Sequence, residues 1–166
     1  FATGRVIDGD QDRTPRQAGA DFTTGGITAG VDYRLFESLV IGAAFGYSPT
    51  EADLKGSLGN GDMAIDTYAL LVYLTHMMTD SLYVDAVIGY SWLDYDTTRP
   101  ITATVNADSD TDGQQFLLQG RLGYDFVRGQ WIFGPTVRLD YIDGDIDGFT
   151  ESGAGALNLT VADQDY

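Results

Sequence analysis

Ser81-Leu82-Tyr83-Val84-Asp85-Ala86-Val87-Ile88-Gly89-Tyr90-Ser91-Trp92 is the stretch on which the fold turns. Its even positions are all apolar or aromatic, while the odd ones, Tyr83, Asp85, Val87, Gly89 and Ser91, are mostly polar or small. Successive side chains of a strand point to opposite faces, so period two predicts a strand with one greasy side. Working outward, Gln115 to Phe126 alternates in the same way, with Phe116, Leu118, Leu122, Tyr124 and Phe126 on its apolar side. Trp131 to Ile142 sets Trp131, Phe133, Pro135, Val137, Leu139 and Tyr141 against Thr136, Arg138 and Asp140. Ile27 to Arg34, Leu39 to Ser48 and Asp66 to Thr75 repeat the pattern, and Phe1 to Asp8 and Ala154 to Val161 carry it more weakly. Eight strands are predicted.

The connections alternate in length. Short turns are expected at Leu35 to Ser38, His76 to Ser81 and Val127 to Gln130, and long polar connections at about 9–20, 48–62, 95–113 and 143–153. Strands of about ten residues with short turns at one end and long loops at the other are the signature of a transmembrane β-barrel of the outer membrane. The first strand then runs outward. Aromatic residues should ring both interfaces of such a barrel. The short-turn end carries Tyr33, Tyr124, Phe126, Trp131 and Phe133, and the long-loop end Phe45, Tyr47, Tyr68, Tyr90, Trp92, Phe116 and Tyr141, with Leu, Ile, Val and Ala between. A soluble sandwich with an aromatic-rich inner face is the competing architecture, but it has no need of aromatics at both ends.

Composition narrows the function. The 166 residues hold 9 basic and 25 acidic side chains, a net charge of −16 that opposes nucleic-acid binding. Cysteine is absent, which removes disulfides, thiolate metal sites and thiol nucleophiles. No run approaches the roughly 18 apolar residues of a membrane helix. The mean hydropathy of −0.11 is that of a soluble protein, yet alternation of lumen and lipid positions averages to the same value. Residue 1 is Phe with no leader before it, so the chain is expected to continue beyond the sequence at hand.

Beyond this alternation, an ordered series of motifs resembles the β-domain of autotransporters, the translocators of type V secretion. It comprises Gly25-Gly26-Ile27-Thr28-Ala29-Gly30-Val31-Asp32-Tyr33-Arg34, Leu39 to Ser48, Asp110 to Gly113 leading into Gly120 to Phe126, Trp131 to Tyr141, and Gly148 to Leu157. The resemblance implies an antiparallel barrel of twelve strands, a linker helix in the lumen, and an upstream passenger carried to the cell surface of a Gram-negative bacterium. It further implies contacts with outer-membrane lipid and lipopolysaccharide, with the chain's own passenger and linker, and with the barrel-assembly machinery. It implies neither a cofactor nor an enzyme. Residues 1–166 are expected to be one such domain without its C-terminal strands, because the sequence stops at Ala162-Asp163-Gln164-Asp165-Tyr166, where a ninth strand would start. The other functional reading is a self-contained eight-stranded barrel with a structural or adhesin role, which is enough strands to close. Gly30, Gly42, Gly46, Gly89, Gly123 and Gly134 on the inward side argue for an open lumen instead.

Three constellations deserve a chemical reading. His76, the one histidine, falls at a short turn with no recognisable nucleophile or acid partner, so a hydrolase site is not expected. Asp32, Arg34, Asp85, Arg121, Asp125, Arg138 and Asp140 are predicted to face the lumen, where they pair with one another or with a resident segment. The runs Asp8 to Asp12, Asp108 to Gly113 and Asp143 to Gly148 have the D-x-D-x-D spacing of a calcium loop, but the closing Glu is missing from the second and third. No metal site is expected. Sixteen of the 25 acids fall in or beside the long connections, which would place negative charge at the cell surface.

Overall fold

The computed structural model describes residues 1–11, 19–55, 60–102 and 104–166. Six long strands carry the architecture: β1 (Ala2–Gln11), β2 (Gly19–Phe36), β3 (Leu39–Lys55), β4 (Asn60–Met77), β5 (Leu82–Thr102) and β6 (Val105–Tyr124). Two short strands follow, β7 (Phe126–Arg128) and β8 (Trp131–Phe133), then β9 (Thr136–Ile146), β10 (Phe149–Thr150), β11 (Thr160–Val161) and β12 (Gln164–Asp165). One antiparallel sheet of eight strands runs β1-β2-β3-β4-β5-β6-β9-β12, each hydrogen-bonded to its neighbours in that order, while β7–β8 and β10–β11 form two-stranded pairs. The two outermost strands are not paired with each other.

The expected long loops are the main point of difference. The described parts of the regions expected as loops at 48–62 and 95–113 are instead continuations of the strands: β3 and β4 stay in register from Leu39↔His76 to Lys55↔Asn60, and β5 and β6 from Leu82↔Tyr124 to Pro100↔Asn106, while 56–59 and 103 lie outside the described residues. Polar sequence here is strand and not loop. A strand leaving the membrane keeps its ladder, because Thr, Asp and apolar residues still alternate and the neighbouring strand still satisfies each N–H and C=O. The first connection behaves likewise up to Gln11 and from Gly19, and its middle lies outside the described residues.

The eighth strand is also displaced. It does not run from Ala154 to Val161; Gly155–Leu157 form a single 3-10 turn at a hairpin tip. The register Gly144–Tyr166, Asp145↔Asp165, Ile146↔Gln164, Phe149↔Val161 and Thr150↔Thr160 is continuous, so β9–β10 rise and β11–β12 descend as one hairpin. The connection expected at 143–153 is its rising arm. Gly153 and Gly155 adopt φ of 93° and 60°, conformations open to glycine, so the chain turns inside the stretch predicted as a strand.

Pro135 has no N–H to give to a ladder, and the strand predicted over Trp131 to Ile142 is interrupted there. Gly134 and Pro135 lie between β8 and β9, and Asp125 between β6 and β7. The Tyr124 N–H donates to the Pro135 carbonyl, whereas the Asp125 N–H turns to Ser81. A residue without an N–H thus coincides with the position at which its neighbour also leaves the ladder.

Candidate functional site: two faces that exchange character

Across β2 to β9 the cross-strand rows of one face are apolar. One row joins Tyr33, Ile41, Leu74, Ala86, Gly120 and Leu139, and the next joins Val31, Ala43, Val72, Ile88, Leu118 and Tyr141. These side chains are not packed against a second layer: Val31 and Leu139 are each 75% exposed and Trp131 77%. A core is almost missing, since Ala44 and Ala107 are the buried apolar residues among those described. So large an exposed apolar surface marks contact with another apolar medium.

The aromatics expected as girdles stand on this face. At the short-turn end Tyr33, Tyr124, Phe126, Trp131 and Phe133 are exposed, with Phe126 4.7 Å from Tyr124 and stacked on Phe133 at 5.7 Å. At the other end Phe45, Tyr68, Trp92 and Tyr141 are exposed, and Tyr47, Tyr90 and Phe116 partly so. Rings pair there too, Tyr47 with Tyr68 at 5.0 Å and Tyr90 with Trp92 at 4.9 Å. The Tyr47 hydroxyl donates to Asp66 at 2.7 Å and that of Tyr90 to Gln114, so each ring hands its hydroxyl to a polar side chain one row above it.

The opposite face carries the predicted charges. Arg34, Val40, Thr75, Asp85, Arg121 and Arg138 share one row, and Asp32, Gly42, Tyr73, Val87, Gln119 and Asp140 the next. Arg121 bridges Asp85 at 2.6 Å, and Thr75 donates to the other carboxylate oxygen at 2.7 Å. Arg138 binds Asp140 at 2.9 Å along its own strand, and Gln119 donates to the same carboxylate. Asp32 and Arg34 stay outside these pairs, and Asp125 sits at the break after β6. His76 is at the short-turn rim, its Nδ1 3.0 Å from the Ser38 carbonyl, where it ties two neighbouring turns together.

Sequence reasoning missed what occupies the space over the inward glycines. A Cβ at Gly42 would collide with the Tyr73 ring, one at Gly123 with the Tyr83 ring, and one at Gly89 with Leu71. Each is the direct cross-strand partner, so the register alone could have shown it: Gly42↔Tyr73, Tyr83↔Gly123 and Leu71↔Gly89. Gly42 and Gly123 therefore seat the Tyr73 and Tyr83 rings and Gly89 seats Leu71, and the room the glycines leave is partly filled.

Beyond the upper aromatic level the strand ends form a crown of hairpins with the opposite polarity. Two outward rows there read Asp8, Thr23, Glu51, Ala64, Asp96, Asp110 and Asp10, Asp21, Asp53, Asp62, Thr98, Asp108. The inward rows at the same height read Ile7, Thr24, Thr50, Ile65, Tyr95, Thr111 and Gly9, Phe22, Ala52, Met63, Thr97, Ser109. The D-x-D-x-D spacing is thus a strand period: Asp108, Asp110 and Asp112 share a face because they are two apart. Among the described residues no three such groups converge as a metal site requires, and Asp12 lies outside them. Asp110 opposite Asp96 shares a hydrogen bond with it and pushes the Asp96 carboxyl up.

Two cations clasp neighbouring hairpins. Lys55 meets Asp21 at 2.6 Å, and Arg99 grips Glu151 through Nε at 2.8 Å and Nη2 at 2.5 Å. Glu151 also accepts the Leu159 N–H, and Arg99 reaches the Leu157 carbonyl. The Arg99 hydrogen bonds hold the buried Glu151 carboxyl below the usual carboxylate range, although burial opposes them. A depressed folded pKa contributes stability that is complete above the unfolded value and lost as pH falls through the folded one. Amide exchange over 149–161 should therefore speed up in Glu151→Gln at neutral pH, and in the wild type only when acid reaches the folded pKa. Equal exchange in both at neutral pH would contradict the clasp.

A sheet with an exposed apolar face framed by aromatic levels, backed by a polar wall, defines an outer-membrane β-barrel. The particular family follows from the comparisons: the autotransporter β-domain model matches residues 1–166, and the chain belongs to that family. The translocator domain of the autotransporter NalP from Neisseria meningitidis superposes with a TM-score of 0.85 at 16% identity, over 99% of this chain and 56% of that one. Esterase EstA of Pseudomonas aeruginosa is 27% identical over 162 residues, 93% of this chain and 25% of that protein. An uncharacterized protein in the trpE-trpG intergenic region of Pseudomonas putida is 28% identical over 144 residues. The chain thus spans about a quarter of the length of the curated relatives it matches. The fold is the translocator barrel, and the domain resides in the bacterial outer membrane.

Proposed function

We propose that this domain is the wall of a secretion translocator, which anchors in the outer membrane and carries a passenger on the same polypeptide to the cell surface. The observation that carries the reading is the exposed apolar face continuous over β2 to β9, set in the translocator fold. Acyl chains cover that face, the girdle aromatics sit at headgroup level, and the acidic crown stands among the lipopolysaccharide headgroups at the cell surface. The lumen charges Asp32, Arg34, Asp85, Arg121, Asp125, Arg138 and Asp140 face the linker helix, and the barrel-assembly machinery inserts the wall. Further strands of the same chain close the gap between β1 and β12, giving the twelve-stranded barrel. An eight-stranded closure would need β1 bonded to β12, and the sheet order holds them at opposite ends.

The experiment is display. A full-length gene with an epitope in its passenger should expose the epitope to added protease on intact cells, and the barrel should migrate faster unheated than boiled in detergent gels. An epitope retained in the periplasm, with the barrel heat-modifiable, would refute transport while leaving the fold intact.

A further inference from the structure

His76 stands on the lipid side of the wall. One step nearer the short turns than Ile41 and Leu74, the same face carries Phe36, Leu39, His76, Val84, Leu122 and Val137 in one row, and His76 is its polar member. Phe36, Leu122 and Val137 are exposed there. An ionisable side chain among lipid-facing residues is costly without partners, so its presence asks for a reason. The tie to the neighbouring turn uses half of the ring. The Ser38 carbonyl accepts the Met77 N–H at 2.8 Å and lies 3.0 Å from His76 Nδ1; because a carbonyl only accepts, Nδ1 carries the hydrogen. In the neutral ring Nε2 then keeps a lone pair, and among the described residues nothing in the protein uses it.

The ring lines an open notch of about 590 Å³ between the Glu37–Ser38 turn and the turn over Met78–Ser81. Glu37 and Asp80 line it too, no lysine or arginine does, and among the described residues neither acid has an ion pair. The Thr79 hydroxyl accepts the Ser81 and Leu82 N–H groups at 3.2 and 2.9 Å, which leaves its own hydrogen to give, and Ser38 brings a second hydroxyl. Acceptors on Glu37, Asp80 and His76 thus stand beside hydroxyl donors at the height of the lower aromatic girdle, where headgroups lie. A primary ammonium gives three N–H bonds, and a phosphate takes them.

We propose that the notch binds the headgroup of a phospholipid bearing a primary amine, with Glu37, Asp80 and His76 Nε2 receiving the ammonium and Ser38 and Thr79 the phosphate. The occupant is a lipid because His76 belongs to the row that acyl chains cover. A headgroup with net negative charge brings its charge against two carboxylates, and a trimethylated amine has no N–H to give. The site needs only the outer-membrane fold, not a passenger or a segment in the lumen, so a failure of display leaves it untouched.

Native mass spectrometry tests it on the purified full-length barrel, offered phosphatidylethanolamine, phosphatidylcholine and phosphatidylglycerol in equal amounts. The wild type should retain phosphatidylethanolamine over either competitor by about fivefold, the scale of partly exposed charged contacts. Joint replacement Glu37→Gln and Asp80→Asn should abolish the preference. His76→Asn separates the site from the turn, since its amide can still reach the Ser38 carbonyl but offers nothing at the place of Nε2. Its preference should fall while the heat-modifiable band stays as in the wild type. Equal retention of the three lipids by the wild type overturns the site without recourse to any variant, and so does a preference that persists in the double variant or in His76→Asn.

Discussion

Val72→Arg should destabilise the inserted barrel by about 2–4 kcal/mol, the cost of a guanidinium on the lipid face near the midplane of a bilayer. Val72 lies opposite Ala43 on one side and Ile88 on the other, in a row that is aliphatic from Val31 to Leu118. It is exposed, so the arginine meets no steric obstacle. In water an exposed Val→Arg change would be worth a few tenths of a kcal/mol. The whole effect must therefore come from the surrounding medium. Denaturant unfolding from lipid vesicles measures it, with Ser91→Arg as the comparison. Ser91 faces the other way, between Ala69 and Gln115. Its substitution should cost less than about 1 kcal/mol, because lumen positions are hydrated. Equal losses at the two sites would mean that the apolar face does not meet lipid.

The strands within the membrane were legible because burial in lipid forces every second residue to be apolar, and Ser81 to Trp92 shows this in twelve consecutive positions. The crown was illegible for a related reason. Its alternation persists, as in Asp94-Tyr95-Asp96 and Asp108-Ser109-Asp110, but polarity has changed faces, so polar runs were read as loops although the period had not altered. Period, rather than composition, was the signal to follow. The tip of the last hairpin gives no such clue: Gly155-Ala156-Leu157 continues a weakly apolar stretch, and the registers of β9 with β12 and of β10 with β11 show that the chain turns there.

Among the side chains, the charged wall was legible by parity, because Asp85, Arg121, Arg138 and Asp140 sit on the minority face of strands already identified. Which charge meets which was not, since it depends on register between strands that are far apart in sequence. The same limit hid the seating of Tyr73 on Gly42 and of Tyr83 on Gly123. A glycine in a strand says only that something approaches closely; its partner is named by the pairing. The Arg99–Glu151 clasp spans 52 residues and two hairpins, and no local motif announces it.

Gly134→Ala should be the most damaging single-methyl change in the wall. A Cβ at Gly134 would land on the carbonyl oxygen of Tyr124, with the Asp125 backbone close behind. Neither can yield easily. Tyr124 is held by its N–H bond to the Pro135 carbonyl at 3.1 Å, and Asp125 by its N–H bond to Ser81 at 2.8 Å. In a regular ladder the residue at 135 would answer the Tyr124 carbonyl with its own N–H, but proline has none, and the carbonyl closes instead on the bare Cα of glycine. The break after β6 thus depends on two residues together, one lacking a donor and the next lacking a side chain. A loss on the order of 3–4 kcal/mol is expected, at the upper range for a point substitution. Gly120→Ala supplies the control, because a Cβ there meets nothing within 4 Å and projects from the apolar face between Ala86 and Leu139. Folded fraction after refolding into detergent, read as the heat-modifiable band, should fall sharply for the first variant and hold for the second. If Gly134→Ala folds as well as Gly120→Ala, the close approach at the Pro135 break is not part of the folded wall.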